Sequence, residues 1–359
     1  MMVPHRELTA GSLVAWLCLV IPMGLANARA ENPDNLYQMG SDLLQQYVPA
    51  DILNQIAPPS REDWDHFWRQ IDGALHSQSL DDMSWIEPGA QLALAYLKSV
   101  PQGQPYAAWL EQRMDYFDMA RNAFRLVPSF QPPPARPPVR MPSGKISIVP
   151  PAPPKFTPPP PDVNSLRLAA IRSPLAWRNR LSARPTPRNA GELVPVLKKS
   201  FQDEGVPPQL VWLAEVESSM NPYARNPVGA AGLFQFMPST AQRFGLQTSP
   251  EDERLVPARS ATAAARYLKS LHRQFNSWPL SFAAYNAGEG TVSKALKKNS
   301  AQTFEAIEDD LPLETQMYVP KVMATIALRE GVNANKLPPP SALRELPPGL
   351  VVMAWVFGP

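Results

Sequence analysis

The placement of proline constrains this chain more than any other feature of its sequence. The 359 residues include 44 prolines, and fifteen of them fall within the 34 positions from 128 to 161. Proline lacks a backbone N–H and fixes φ, so this segment cannot form an internal helix or a central strand and favours polyproline II. We therefore predict a semi-rigid, proline-rich linker at 128–165, with the docking of a partner protein as its alternative role.

Helical periodicity characterises the residues on both sides of this linker. In residues 31–127, apolar side chains recur at three- and four-residue spacing, as Leu44, Tyr47 and Val48 do. A similar pattern with many small residues follows the linker. We predict a mainly α fold, with a helical domain of unknown role at 31–127 and a second helical domain at 166–335.

The first thirty residues have the features of an export signal. Arg6 supplies positive charge, residues 13–23 are apolar almost throughout, and Ala28 and Ala30 provide the small side chains of a cleavage site. We predict a cleaved signal peptide at 1–30 and a location in the periplasm or elsewhere in the cell envelope. The alternative, a retained membrane anchor, needs about 20 apolar residues, which is more than this run offers.

The cysteine and histidine content excludes several kinds of site. Cys18 is the only cysteine, and a lipid attachment site is one interpretation of it. The bulky Trp16 and Leu17 before it are unlike the small residues of a bacterial lipobox, so we interpret Cys18 as an apolar filler of the signal segment. The mature chain would then contain no disulfide, thiolate metal site or thiol nucleophile. The four histidines lack metal-ligand spacing, so no metal site is predicted.

Charge and the C-terminal sequence exclude two further classes. A formal net charge of +2, from 34 basic and 32 acidic residues, is unlike the strongly basic balance of nucleic-acid-binding proteins. The apolar stretch at 351–357 is too short to span a bilayer. We predict a C-terminal tail at 336–359 that packs on the preceding domain, with a disordered tail as the alternative.

One predicted helix of the second domain ends with an acidic residue. The helix starts after Pro207 and Pro208, since proline suits a first turn, and it stops near Pro222. Its last turns hold two glutamates, Glu215 and Glu217, and their helical spacing separates them.

Glu217 shares a helix face with apolar residues. It follows Leu210, Leu213 and Ala214 by seven, four and three positions, so its carboxyl group is predicted to be desolvated. Desolvation raises the pKa of a carboxyl group, and a protonated carboxyl near neutral pH can act as a general acid. Glu215, two positions away, faces nearly the opposite side. On this helix alone, a salt-bridged glutamate is an equally simple interpretation of Glu217.

Four motifs in a fixed order remove that ambiguity. They are Glu-Ser-x-x-Asn-Pro at 217–222, the segment Gly-Ala-Ala-Gly-Leu-Phe-Gln-Phe-Met-Pro at 229–238, Ala-Tyr-Asn-Ala-Gly at 284–288, and Glu-Thr-Gln-Met-Tyr-Val at 314–319. Together they resemble the lytic murein transglycosylases with a soluble-transglycosylase catalytic domain, whose fold is similar to that of goose-type lysozyme. The resemblance covers about residues 190–333.

This resemblance implies that Glu217 is catalytic and that a set of aromatic and amide side chains binds the substrate. Gln235 offers both a donor and an acceptor, and Tyr285 and Asn286 suit an N-acetyl sugar by stacking and hydrogen bonding. The alternative interpretation of Asn286 and Gly288 is that they cap a helix. The implied binding residues are Phe234, Gln235, Tyr285, Asn286 and Tyr318.

Two of these positions depend on their neighbours in sequence. Phe234 stands where methionine is common in the family, and both are apolar enough to pack on a sugar. Tyr318 shares a helix face with Glu314, which we interpret as a structural partner and not as a second catalyst. The Gly229 region is expected to supply a small β element or a loop.

The resemblance also implies a reaction that needs one carboxyl group. Ordinary glycosidases use two, and within the motifs only Glu217 is suitably placed, with Glu289 as its one rival. In the family, the N-acetyl group assists departure at C1 of N-acetylmuramic acid. The same glutamate then deprotonates the C6 hydroxyl, which closes a 1,6-anhydro ring without water. No cofactor is implied.

The expected partner is therefore the peptidoglycan glycan strand, and no nucleic acid is expected. Two alternatives remain from the sequence: a lysozyme-type hydrolase on the same fold, and a non-catalytic wall-binding protein. Protein partners could also be recruited through the linker or through the helices of 31–127, whose aromatic residues are read either as a core or as a platform for sugar rings.

Overall fold

A computed structural model describes residues 61–99, 103–126 and 161–341 of the chain. Over these residues the fold is mainly helical and contains no extended strand, which confirms the predicted fold class. The predicted signal segment, Cys18, the linker up to residue 160 and residues 342–359 lie outside the described residues. Within the described part, no helix is both long enough and apolar enough to cross a membrane.

Twelve α-helices are found in the described ranges. They are α1 (Arg61–His76), α2 (Leu80–Ser99), α3 (Gln104–Leu126), α4 (Pro161–Arg172), α5 (Pro174–Ser182), α6 (Ala190–Asp203), α7 (Leu213–Ser218), α8 (Pro238–Arg243), α9 (Pro257–Phe275), α10 (Trp278–Ala287), α11 (Glu289–Asn299) and α12 (Leu313–Glu330). Short 3₁₀ turns at Pro208–Trp212, Glu253–Leu255, Glu308–Asp310 and Ala334–Lys336 connect some of them.

Capping residues explain several of these boundaries. Ser173 and Ser277 accept backbone N–H bonds at the starts of α5 and α10, and each is followed by a proline in the first turn. Gly288 and Gly331 end α10 and α12 with φ values of 85° and 68°, which a side chain would disfavour. The alternative interpretation of Gly288 as a helix cap is therefore confirmed.

Two clusters of buried apolar side chains form the interior. One joins α1 to α5, with Ile71, Leu110, Phe117 and Trp177 among its members. The other joins α6 to α12 and includes Phe201 among its members. Burying apolar area of this kind is the main favourable contribution to folding, at about 25 cal/mol per Å².

Helix α12 takes part in both clusters. Leu313 and Met317 pack with α1–α5, whereas Tyr318, Val322 and Ile326 pack with α6–α11. The two sets lie on different faces, because residues four apart share a face of a helix while neighbours do not. The helix is therefore buried from both sides and fixes residues of one cluster against the other.

One of the predicted domain borders falls inside a helix. Helix α4 crosses the border expected at 165, and Ile171 of α4 is buried together with α1–α3. The borders at 127, 165 and 335 stay predictions. Beyond the last border, the indole of Trp278 donates to the carbonyl of Leu337 at 3.2 Å, and the amide of Ser341 donates to the carbonyl of Gly205 at 2.8 Å.

Candidate active site

Glu217 lies in the last turn of the short helix α7. The sequence predicts one helix that stops near Pro222, but the structure has a 3₁₀ turn at Pro208–Trp212 and then α7, which ends at Ser218. The early end has a local cause, since Ser219 and Met220 adopt left-handed conformations with φ of 54° and 59°. The amide of Met220 then donates to the carbonyl of Ala214, which closes the helix end.

The side chain of Glu217 is almost completely buried. Only 4% of the residue is exposed, and Leu210, Leu213 and Ala214 of the same stripe are fully enclosed. The apolar setting predicted from the spacing is confirmed. A buried carboxylate must find donors or become neutral, so its partners decide its charge.

Two side chains from other helices contact the carboxyl group. The hydroxyl of Tyr318 donates to Oε1 of Glu217 at 2.6 Å. Nη2 of Arg113, on α3, lies 3.4 Å from Oε2, and Nη1 of Arg113 donates to the backbone carbonyl of Glu217 at 3.2 Å. Oε1 is thus held by a short bond, whereas the contact at Oε2 is longer than most hydrogen bonds.

Burial raises the pKa of Glu217 above its ordinary value of 4.5. The charge of Arg113 and the hydrogen bond from Tyr318 oppose that rise, while the nearby charge of Glu314 adds to it. Burial and the charge of Glu217 also hold the pKa of Tyr318 well above 10, so its hydroxyl stays protonated. At this site Glu217 is therefore suited to gain and lose a proton, whereas Tyr318 stays protonated and donates a hydrogen bond.

Ser218, the second residue of the first motif, ties α7 to the loop that follows it. Its hydroxyl lies 2.9 Å from the carbonyls of Ala214 and Leu233. The loop folds back through isolated antiparallel bridges that pair Ala231 with Arg225 and with Phe236, which accounts for the small β element expected near Gly229. A hydroxyl at position 218 is therefore part of the scaffold that sets the position of Glu217.

Gly232 permits a close approach within this loop. A Cβ atom there would lie 1.9 Å from the carbonyl oxygen of Arg254, and its φ is 83°. The guanidinium of Arg254 donates to the carbonyls of Gly229 and Phe236 at 2.8 Å each. The glycine thus allows the loop to pack against Arg254.

Gln235 is half-buried and has one unused acceptor. Its Nε2 donates to the carbonyls of Ala224 and Gly232 at 3.1 and 2.9 Å, while its buried Oε1 has no protein partner. Buried polar atoms are normally satisfied, so an unpaired Oε1 is suited to accept from a bound molecule. This fits the predicted binding role of Gln235.

Tyr285 and Phe234 contact each other through a backbone group. The Tyr285 hydroxyl donates to the Phe234 carbonyl at 2.8 Å, and burial with the charge of Glu217 holds the Tyr285 pKa well above 10. The Phe234 ring is fully buried and lies 5.8 Å from that of Phe201. This burial argues against direct contact between the Phe234 side chain and a sugar, although its backbone remains at the site.

Asn286 is held by α12. The hydroxyl of Thr315 lies 2.7 Å from its Oδ1, and Thr315 is itself fully buried. With Oδ1 occupied, the Nδ2 group is the part of Asn286 that can donate to a ligand. Asn286 lies within α10, and Gly288 alone forms the cap.

The other carboxyl groups near the site have partners of their own. Glu215 forms a two-pronged ion pair with Arg329, and Glu314 lies 3.4 Å from Nε of Arg113, as a structural partner would. Glu289 pairs with Arg243 at the surface and lies 3.4 Å from the hydroxyl of Tyr267. Over the described residues, no group of three or more His, Cys, Asp or Glu side chains could hold a metal ion.

Arg113 and Thr315 are the site residues that the sequence did not suggest. Arg113 is 104 positions away from Glu217, so no local pattern links them. Thr315 belongs to the fourth motif, but its role depends on which side chain of α10 faces it. The signal that could have found Thr315 is its place in that motif, between Glu314 and Tyr318.

The site can now be compared with known proteins. Residues 195–307 match the family described as "Transglycosylase SLT domain". The matched segment includes Glu217 and the motifs at 229–238 and 284–288, and Tyr318 lies beyond its end.

Curated relatives match about a third of the chain or less. Membrane-bound lytic murein transglycosylase D of Escherichia coli K12 is 43% identical over 123 residues, which is 33% of this chain and 27% of that protein. The soluble lytic murein transglycosylase of the same strain is 38% identical over 121 residues, or 31% and 19% of the two chains. The chain thus matches about a quarter or less of the length of these two relatives.

A phage protein and a solved structure complete the comparison. Peptidoglycan transglycosylase gp16 of Escherichia phage T7 is 35% identical over 102 residues, covering 27% of this chain and 8% of that protein. The 70-kDa soluble lytic transglycosylase in complex with bulgecin A aligns with a TM-score of 0.36 and 19% identity, covering 82% of this chain and 59% of that one.

Proposed function

We propose that this chain is a peptidoglycan lytic transglycosylase in which Glu217 is the general acid and then the general base. It would cleave the β-1,4 bond between N-acetylmuramic acid and N-acetylglucosamine and leave a 1,6-anhydro end. The observation that supports this most strongly is the buried Glu217 carboxyl, whose two oxygens face Tyr318 and Arg113 within a family whose relatives are named transglycosylases.

The first half of the reaction needs a proton donor. Protonated Glu217 would give its proton to the glycosidic oxygen through Oε2, because Oε1 is already bonded to Tyr318. The bond between C1 and that oxygen breaks, and the leaving sugar carries the proton as a hydroxyl. The N-acetyl group of the muramic acid would assist at C1. Burial makes protonated Glu217 available by raising its pKa.

The second half needs a base. The carboxylate left on Glu217 would take the proton of the C6 hydroxyl. The C6 oxygen then bonds to C1, the bond between C1 and the assisting N-acetyl oxygen breaks, and the anhydro ring closes. Glu217 is then protonated again, so no water is consumed. Tyr318 stays a donor throughout and would stabilise the intermediate carboxylate.

Polar groups around Glu217 would hold the N-acetyl sugars. The free Oε1 of Gln235 would accept an amide N–H, and Nδ2 of Asn286 would donate to a carbonyl. Tyr285 would line the same site. Phe234 would support it from the interior and would not touch the substrate.

The setting of the enzyme is part of the proposal. We infer that it acts in the cell envelope after export, since its substrate lies outside the cytoplasmic membrane. Recruitment of protein partners through the proline-rich segment remains an inference from sequence, because residues 127–160 lie outside the described part of the chain.

Product analysis tests the proposal. Purified protein would be incubated with murein sacculi, and the soluble products would be identified by mass spectrometry. We expect anhydro-ended muropeptides, each lighter by one water than the reducing-end product. Glu217→Gln should lower the rate about 100- to 10,000-fold, the usual contribution of a general acid.

A matched control lies on the same helix. Glu215→Gln makes the same chemical change two residues away, at a carboxyl that pairs with Arg329. It should leave the products and most of the rate unchanged at a temperature where the variant is folded. Reducing ends would indicate a hydrolase, and glycan binding without any product would indicate a wall-binding protein.

A further inference from the structure

Arg113 reaches the candidate catalytic glutamate from a helix outside the matched segment. It lies on α3, while the family match begins at residue 195. The guanidinium is buried and lies between two carboxyl groups: Nη2 is 3.4 Å from Oε2 of Glu217, and Nε is 3.4 Å from Oε1 of Glu314. Arg113 therefore shares one positive charge between two acids.

Further contacts fix the position of this guanidinium. Its Nη1 donates to the backbone carbonyl of Glu217, and its Cζ lies over the ring of Trp109, 5.0 Å from the centroid. The preceding residue, Gln112, donates from its side chain to Ser219, and its carbonyl accepts from Lys321. Consecutive residues of α3 thus bind the end of α7, so Arg113 cannot move without disturbing the helix end that carries Glu217.

The charge balance around Glu217 makes this contact consequential. The titratable and charged groups that face it are Arg113 and Tyr116 of α3, Glu314 and Tyr318 of α12, and Tyr285 of α10. The pKa values of Tyr285 and Tyr318 are raised, so both side chains stay neutral near pH 7. Among these groups, Arg113 carries the positive charge, and it faces the carboxyl groups of both Glu217 and Glu314.

We propose that Arg113 is a positioning residue of the active site, which orients the Glu217 carboxyl and divides its charge between Glu217 and Glu314. The inference rests on the proposed function of Glu217. During the reaction Glu217 must be an acid first and a base second. A full, unshared cation would hold the carboxylate too firmly for the second step, and no cation would make the first proton transfer harder.

The pH dependence of activity can test this role. Cleavage requires protonated Glu217, so activity falls at alkaline pH as that group ionises. Arg113 lowers the pKa of Glu217 against the effect of burial. Arg113→Gln should therefore move the alkaline limb of kcat/KM, measured on soluble glycan oligomers, to higher pH by about one unit or more, the usual effect of a nearby opposite charge. Arg113→Lys keeps a positive charge near Glu217, so its alkaline limb should lie close to that of the unmodified protein.

A second variant predicts the opposite sign. Glu314→Gln removes the acid that competes for Arg113, so the alkaline limb should move to lower pH. This arm does not depend on whether Arg113→Gln folds. The matched control is Arg121→Gln, the same change on the same helix, at an arginine that pairs with Glu87 and Asp118. Its profile should coincide with that of the unmodified protein.

A titration without turnover separates this proposal from the proposed function. The Glu217 carboxyl, labelled with ¹³C and assigned by its loss in Glu217→Gln, would be followed by NMR in each variant. Shifts of opposite sign for Arg113→Gln and Glu314→Gln support the role of Arg113 even if the protein fails to cleave murein. Unchanged titrations and unchanged profiles in both variants would overturn it, even if the protein is an active transglycosylase.

Discussion

Asp115 and Glu217 are both buried carboxyl groups that contact α3 and α12, but their surroundings differ in charge. Asp115 is fully buried and meets three cations, Lys321, Arg180 and Arg184. Burial raises its pKa, but those cations outweigh the effect and hold it below 3.8. Glu217 has one shared cation, and its pKa is raised. Burial alone therefore does not set the protonation of a carboxyl; the number of cations for each acid does.

This comparison assigns the two groups different tasks. The Asp115 cluster links α3, α5 and α12 through several buried ion pairs, which suits a structural joint. The Glu217 site, one turn away on the same two helices, keeps a carboxyl that can gain and lose a proton. Lys321 and Tyr318 lie only three residues apart on α12. This helix therefore supplies a partner to each carboxyl group, Lys321 to Asp115 and Tyr318 to Glu217.

The largest expected effect concerns the stability provided by the Asp115 cluster. Asp115→Asn leaves Lys321 buried without its carboxylate and should lower the free energy of unfolding by about 3–5 kcal/mol, as breaking a buried ion pair does. Denaturation in urea would measure it. Asp118→Asn, on the same helix but more exposed, should cost about 1 kcal/mol or less. Equal losses of unfolding free energy in the two variants would show that Asp115 contributes no more to stability than an exposed carboxylate.

The next effect concerns the hydrogen bond to Glu217. Tyr318→Phe removes the donor to Oε1, and hydrogen bonds to charged groups are worth about 1.5–3 kcal/mol. We expect kcat to fall about ten- to a hundredfold. Because this bond lowers the pKa of Glu217, the alkaline limb should also move to higher pH. A lower rate with an unmoved limb would show that Tyr318 acts on the substrate instead.

A smaller effect links Glu217 to the pH dependence of stability. Its folded pKa lies above the ordinary 4.5, so the folded state binds the proton more tightly than the unfolded state does. Stability should therefore fall as pH rises from about 4.5 towards the folded pKa, at up to about 1.4 kcal/mol per unit. Glu217→Gln should lose this component, and thermal unfolding of both proteins between pH 4 and pH 8 would show whether the curves diverge.

The smallest effect is expected at Glu289, the rival carboxyl. Its ion pair with Arg243 is partly exposed, and such pairs contribute about 0–1 kcal/mol. Glu289→Gln should change the rate of murein cleavage less than about twofold if one carboxyl suffices. A loss comparable to that of Glu217→Gln would reveal a second catalytic carboxyl and would favour the two-carboxyl mechanism of a hydrolase.

The sequence predicted those features of the site that depend on local spacing. Helical periodicity placed Glu217 on the stripe of Leu210 and Leu213, and the end of α10 followed from Gly288. These two predictions succeeded because short-range backbone geometry fixed them. The resemblance implied Tyr318 as a substrate-binding residue, but its hydrogen bond to Glu217, 101 positions away, is seen in the structure alone.

Other features depend on packing that a sequence pattern does not specify. The burial of Phe234 follows from its contact with Phe201 of α6, and an apolar residue in a loop gives no sign of which side it faces. The early end of α7 depends on two left-handed residues, Ser219 and Met220, neither of them a glycine. Arg113 needed the docking of α3, a contact formed across more than a hundred residues.

The burial of α12 on two faces has a consequence for any attempt to isolate the segment that matches the SLT family. Cutting the chain at the limits of the family match, 195 and 307, would keep Glu217 and remove both Tyr318 and Arg113, the side chains that contact its oxygens. The matched segment therefore holds the acid without the two side chains that set the position and the proton affinity of its carboxyl group.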